Sequence, residues 1–351
     1  MNTELENRLQ KIEPILRSWL PENPDASWLE KVFSVPGNSI NPALLKTLSF
    51  PSWDLLNRGG KRWRPLLMVL VAEAIAGDRG AEAALPYTPL VEFSHNASLI
   101  HDDIEDNSDE RRGKPAVHLL YGTDTAINSG SFLYFLSLAC INAAPEETSQ
   151  VFKIWGTYMR RLHLGQAMDI AWHRDFDSLP EIPEYEKMCC LKTGCLARMA
   201  AVLGVHCGTS CSGKNMQEDP AEKPGEGAEK LGVGFQILDD VKNLTTGIPG
   251  KKRGDDIVEG KKSLPVLLYL HRYPGKRKYA ASCFDAACSS GIEAPQVEEF
   301  IQVLEKAGVL EEAGQRGREL IQESRDIFMK IFSKEPKGRE LLGSLIDFMA
   351  G

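Results

Sequence analysis

Residues 101–106 read His-Asp-Asp-Ile-Glu-Asp, four acids in a run of six. Asp102 and Asp106 are four apart and share one helix face, with Asp103 on its shoulder. His95 lies seven positions earlier on the same stripe. Like charges at this spacing destabilise a helix. The segment around them is apolar, with Leu90, Val91, Phe93, Leu99 and Ile100. Carboxylates in such surroundings need a counter-charge. Mg²⁺ would supply one, since it takes one or two carboxylates per ion and completes its shell with water and phosphate oxygens. An exposed helix end is the plain alternative.

A second run repeats the pattern. Gln236, Asp239, Asp240 and Asn243 fall at i, i+3, i+4 and i+7, again one helix stripe. Two such stripes on separate apolar helices could face each other across a cavity and chelate metal from both sides. Metal-bound phosphate also needs cations. Lys61 and Arg64 stand in Gly-Gly-Lys-Arg-Trp-Arg-Pro, and Arg111 and Arg112 in Arg-Arg-Gly-Lys-Pro. Lys192 opens Lys-Thr-Gly, and Lys251 and Lys261 follow the second acidic run. Paired arginines suit the bidentate geometry of phosphate oxygens.

These residues need helices to hold them. Apolar residues recur at three- and four-residue steps over 62–80, 89–106, 125–141, 151–173, 183–207 and 226–244, and again over 296–308, 310–333 and 338–350. No stretch alternates with period two. The pattern predicts an all-α protein, a single large helical bundle over 1–351, and the two facing stripes would place a cavity at its centre. Its motif-bearing core spans about 50–270, and its C-terminal helices about 280–351. Two polar, Gly-rich segments, 208–227 and 245–262, read as mobile loops.

Of 351 residues, 41 are Lys or Arg and 49 are Asp or Glu, a net charge of −8. That balance argues against nucleic acid as a partner. No run reaches the roughly 18 apolar residues of a membrane span, and the first residues lack the layout of a signal peptide. A cytoplasmic protein is expected. The eight cysteines include no CxxC pair and suggest neither a disulfide scaffold nor a zinc site.

Taken together, the motifs resemble those of the trans-isoprenyl diphosphate synthases, the polyprenyl synthetase family. Asp102-Asp103-Ile104-Glu105-Asp106 is similar to the family's first aspartate-rich motif, and Asp239-Asp240-Val241-Lys242-Asn243 to the second. GGKRWRP, RRGKPAVH, GQAMDI, LKTG and EGKKSLP follow the family's other blocks in order, from about residue 50 to 270. NASLIHDDIEDNS and YGTDTAINS look most like the geranylgeranyl diphosphate synthase branch. The Asn at 243 departs from the Asp of many relatives and removes one possible metal ligand.

The resemblance implies a head-to-tail condensation of isopentenyl diphosphate with an allylic diphosphate, assisted by three Mg²⁺ ions, in a homodimer. It implies metal ligation by Asp102, Asp103, Asp106 and Asp239, with Asp240 and Asn243 supporting. Arg111, Lys192, Lys251 and Lys261 would contact the allylic diphosphate. Lys61, Arg64, His95 and Arg112 would clamp isopentenyl diphosphate. Gln236 and Thr193 would place dipoles near the developing cation, and Gln166 and Asp169 match a third helix of the family. Ala97 and Ser98, five and four positions before Asp102, would border the growing chain. Both are small, so a product of twenty carbons or more is expected, with Phe132, Tyr134 and Phe135 as a deeper floor. A class I terpene cyclase, or a non-catalytic partner subunit, is the alternative reading.

Overall fold

A computed structural model describes residues 3–142, 144–173, 176, 179–212, 220–247, 252–332 and 336–350. Its elements are almost all helices. The exception is a two-stranded antiparallel hairpin, Glu110–Arg111 with Lys114–Pro115.

The centre is the helix Trp63–Ala76, buried at every position from Trp63 to Ile75. A helix apolar on all sides belongs in the middle of a fold. Each of its fully buried leucines contributes roughly 1.5–3 kcal/mol. The Cys195–Ser212 helix packs on it closely. A Cβ at Gly204 would lie 2.5 Å from the Met68 carbonyl oxygen, so only glycine permits this approach. The helices Thr88–Glu105, Pro145–His173 and Glu222–Leu244 complete the central group with Val309–Ile331 and Pro336–Ala350. A second apolar cluster lies towards the C-terminal half, around Leu244, Val266, Phe284, Phe300 and Ile301.

The helices expected from periodicity are present, and most ends fall within a few residues of expectation. The polar loops are shorter than expected. The helix from Cys195 runs to Ser212, and the next begins at Glu222, so both ends of the 208–227 segment are helical. The 245–262 segment contains a short helix, Asp255–Val258. Helices Thr3–Trp19, Ala26–Phe33, Pro42–Asn57, Leu264–Arg272 and Arg277–Ser290 lie outside the segments that periodicity marks. Among the described residues, one run, Ile182–Ser212, is long and apolar enough to cross a membrane, but 67% of its most apolar window is buried inside the fold.

Candidate active site

The two acidic runs end their helices at one cavity of about 800 Å³. Asp102 and Glu105 line it from one side, and Asp239, Asp240 and Asp256 from the other. The Thr88–Glu105 helix carries Pro89 in its first turn, where a missing N–H costs nothing. Past Asp106 the chain turns through Asn107 in the left-handed region, φ 54, a conformation asparagine tolerates. The hairpin then folds back over the helix end. Its turn residues, Arg112 and Gly113, both have positive φ, as the tightest hairpin turns demand.

This return places Arg111 on the first cluster. Its Nε donates to Asp103 Oδ1 at 2.8 Å, and its Nη2 bonds the same oxygen and lies 3.6 Å from Asp102. Lys192 Nζ donates to Asp102 Oδ1 at 3.0 Å and to Asp169 Oδ2 at 2.5 Å. Gln166 Nε2 donates to Asp102 at 3.0 Å. Lys261 Nζ lies 2.9 Å from Asp106, and His173 joins Asp169 and Asp106 at 2.9 and 3.6 Å. Burial alone would raise the Asp102 carboxyl, but Lys192, Lys261 and Arg111 overcome it and hold the group well below the usual range. Burial raises Asp103 and Asp106, against the pull of Arg111 and Lys261.

Lys192 and Thr193 reach the cavity because the chain makes a π-helical turn at Cys190–Gly194. Such turns are frequent at functional sites. Gly165 lets the neighbouring helix press against this turn, since a Cβ there would sit 2.4 Å from Lys192 N. Thr193 Oγ1 donates to Gln236 Oε1 at 3.0 Å, and Gln236 Nε2 donates to Asp240 Oδ1 at 2.7 Å. The Tyr185 hydroxyl donates to Asp240 Oδ2 at 3.0 Å. Burial and the charge of Asp256 push Asp240 up to about 7. Burial pushes Asp239 up to about 6, with Lys61 and Lys242 pulling the other way.

A second group of cations lines the same cavity. Lys61 stands 4.8 Å from the Phe235 ring and 5.4 Å from the Phe348 ring. Arg64 lies against Trp63, with Nη1 3.3 Å from His95 Nε2. Burial, then Arg64 and Arg112, lower the His95 imidazole well below its ordinary value. It is therefore neutral, and Nε2 accepts from Arg64.

Several expected residues sit elsewhere. Asn243 does not reach the cavity. Its Nδ2 donates to Lys252 O at 3.2 Å and its Oδ1 accepts from Asp256 N at 3.2 Å, so it ties down the following loop. Ala97 is fully buried in the main core, on the helix side away from the cavity, which Ser98 lines instead. Phe132 stacks on Phe33 at 5.5 Å, away from the cavity, while Tyr134 and Phe135 line it. Lys251 lies outside the described residues. Residues that sequence reasoning missed include Tyr185, Asp256, Glu92 and His163, all cavity-lining. Asp256 follows a Gly-Asp step inside a segment read as loop, and Tyr185 carries no spacing signal at all.

The donor set suits a hard divalent cation, being carboxylate oxygens only. Asp103 Oδ2 is buried with no hydrogen-bond partner among the described residues, so the first cluster has unspent oxygen. No three His, Cys, Asp or Glu side chains are gathered at ligating distance among the described residues. The first cluster's carboxylates are paired with lysine and arginine, and Asp240 is held by Tyr185 and Gln236.

The family model for polyprenyl synthetase matches residues 45–300. The chain belongs to that family. As a polyprenyl synthetase it is a prenyltransferase of the trans-isoprenyl diphosphate synthase type, and the family works with divalent metal. It is 30% identical over 311 residues to a geranylfarnesyl diphosphate synthase of Aeropyrum pernix, covering 86% of this chain and 93% of that one. It is 35% identical over 257 residues to a short chain isoprenyl diphosphate synthase of Methanocaldococcus jannaschii, 72% of this chain and 75% of the other. Among solved structures, a geranylgeranyl pyrophosphate synthetase from Pyrococcus horikoshii superposes with a TM-score of 0.79 at 26% identity, over 99% and 97% of the two chains.

Proposed function

We propose that this polyprenyl synthetase condenses isopentenyl diphosphate with an allylic diphosphate to give a trans-polyprenyl diphosphate of twenty carbons or more. One observation carries the reading. Two carboxylate clusters and two separate groups of cations open onto a single cavity, which is what two diphosphates need. A terpene cyclase, with one diphosphate to hold, has no use for the Lys61, Arg64 and Arg112 group.

Asp102, Asp103, Asp106 and Asp239 are the proposed holders of Mg²⁺, three ions in all, with Asp240 supporting. When bound, these ions supply positive charge to the leaving diphosphate. Lys192, Lys261 and Arg111 hold the allylic diphosphate as its C–O bond breaks. They are fixed in place beforehand by the carboxylates, so little reorganisation is needed. Lys61, Arg64, His95 and Arg112 hold isopentenyl diphosphate so that its double bond faces the allylic carbon. A C–C bond forms there, and the proton lost from the product passes to the released diphosphate. Thr193 and Gln236 orient dipoles towards the transient cation.

The tail path passes Ser98. It meets the ring of Tyr134, stacked on His101 at 5.6 Å and edge-on to His163 at 5.6 Å. We take this trio as the floor. Phe135 lines the cavity yet is 67% exposed, and Ile127 on the same helix is exposed too. A second copy covering that helix would give the homodimer we propose.

Incubation with isopentenyl diphosphate and each of dimethylallyl, geranyl and farnesyl diphosphate, with and without Mg²⁺, tests the reading. Chain elongation that needs Mg²⁺ is expected, and no elongation with any primer would overturn it. Ser98→Phe should shorten the product and Tyr134→Ala lengthen it by one or more five-carbon units. Ala97→Phe should overpack the core, costing about 1–3 kcal/mol of stability.

A further inference from the structure

The cations proposed for isopentenyl diphosphate rest on turns with an uncommon backbone. Arg62 (φ 48) and Arg112 (φ 55) are both left-handed, which L-residues avoid and keep only where surroundings over-determine it. Arg62 stands between Lys61 and Arg64, but four of its five N–H hydrogens are spent on protein acceptors. Its Nε donates to Glu13 at 2.8 Å, its Nη1 to Gly59 O at 3.0 Å and Glu92 at 2.9 Å, and its Nη2 to Leu56 O.

Glu92 passes this order on. Its Oε1 also accepts from Asn96 Nδ2 at 2.8 Å, and Asn96 Nδ2 donates to the Glu92 carbonyl at 2.8 Å as well. Asn96 is fully buried. Both its donor contacts point to Glu92, so its amide has one orientation. The flipped amide would set oxygen against carboxylate. Asn96 Oδ1 therefore faces Arg112, whose Nη1 donates to it at 3.2 Å and to Leu55 O at 3.0 Å. Gly60 leaves the room, since a Cβ there would sit 3.0 Å from Arg112 Nη2.

We propose that Arg62, Glu92 and Asn96 are positioning residues for isopentenyl diphosphate: a buried chain, anchored on the first helix by Glu13, that fixes the Arg112 guanidinium before substrate arrives. One nitrogen of Arg112 is spent on the chain, and its remaining N–H groups serve the cavity. A guanidinium held this way loses little freedom when it binds phosphate oxygens. The inference rests on the reading of Arg112 as part of that clamp.

A double-mutant cycle on the full-length enzyme with Mg²⁺ separates the two. Asn96→Ala should raise KM for isopentenyl diphosphate about tenfold, the effect of one lost hydrogen bond to a charged group. KM for the allylic diphosphate and kcat should move by less than about twofold. In an Arg112→Ala background, Asn96→Ala should add nothing further. A full further rise in that background, an equal rise in both KM values, or no rise at all overturns the positioning chain. If Arg112→Ala itself leaves KM for isopentenyl diphosphate unchanged, the clamp reading fails instead. An unfolded fraction lowers apparent kcat and not one KM alone. Should Asn96→Ala not fold, the near-isosteric Glu92→Gln carries the same cycle, with a rise in the same single KM.

Discussion

Asp102 lies 3.0 Å from Lys192 and 3.6 Å from Arg111, and its carboxyl is held well below the usual range. Asp240, on the facing helix, is held by the Tyr185 hydroxyl and the Gln236 amide, beside the charge of Asp256, and is pushed up to about 7. Both runs have carboxylates on one helix stripe within an apolar helix. Their company differs. In the first cluster Asp102 keeps its negative charge by pairing with fixed cations, although burial raises its neighbours Asp103 and Asp106; in the second, burial exceeds the counter-charge around both Asp239 and Asp240, which keep a share of protons. A divalent ion at Asp102 must share oxygens with lysine and arginine, whereas at Asp239 it must displace protons.

The largest effects should separate the clusters outright. Asp102→Ala removes a carboxylate that also organises Lys192, and should lower turnover on the order of a thousandfold or more. Asp240→Asn keeps the partners of a group that supports from behind, and should cost about ten- to a hundredfold. Steady-state rates at saturating Mg²⁺ compare them, and equal losses would remove the distinction.

The pH dependence should come from the second cluster. Between pH 8 and pH 6, Asp239 and Asp240 take up protons in the metal-free protein. The Mg²⁺ concentration for half-maximal rate should therefore rise about tenfold as pH falls across that range. The linkage sign agrees. Carboxyls raised in the folded state bind protons that the unfolded chain does not, so the metal-free protein loses stability as pH rises from the ordinary carboxyl range up to about 7, and Mg²⁺ restores it. Asp240→Asn should flatten the Mg²⁺ dependence. A slope unchanged in that variant would assign the effect to another group.

The smallest effect is expected at Asn243. Asn243→Asp restores the residue of many relatives on the second stripe, but at a position facing the Lys252–Asp256 loop. It should lose one hydrogen bond, about 1 kcal/mol of stability, and change turnover by less than about threefold. A large gain in Mg²⁺ affinity would show that the side chain can swing to the cavity.

Much of the site was legible because helical spacing is a local property. The stripes of Asp102 with Asp106 and of Asp239 with Asp240 follow from 3.6 residues per turn. So does the apolar burial of Trp63 to Ile75. Which way a stripe faces is not local. Ala97 and Ser98 are neighbours, yet one packs in the core and the other lines the cavity. Asn243 fits the stripe in projection, but the loop that follows captured it. Tyr185 and Asp256 left no signal, since each works through a partner distant in sequence.

The chain by itself determined the residue types, the helices that carry them and the pairing of two acidic runs with flanking cations. Tertiary structure decided the charge each run holds. Lys192 reaches Asp102 across 90 residues, and Tyr185 reaches Asp240 across 55. A carboxyl's proton affinity is set by burial and by the charges within a few ångströms, and those come from packing rather than from neighbours in sequence.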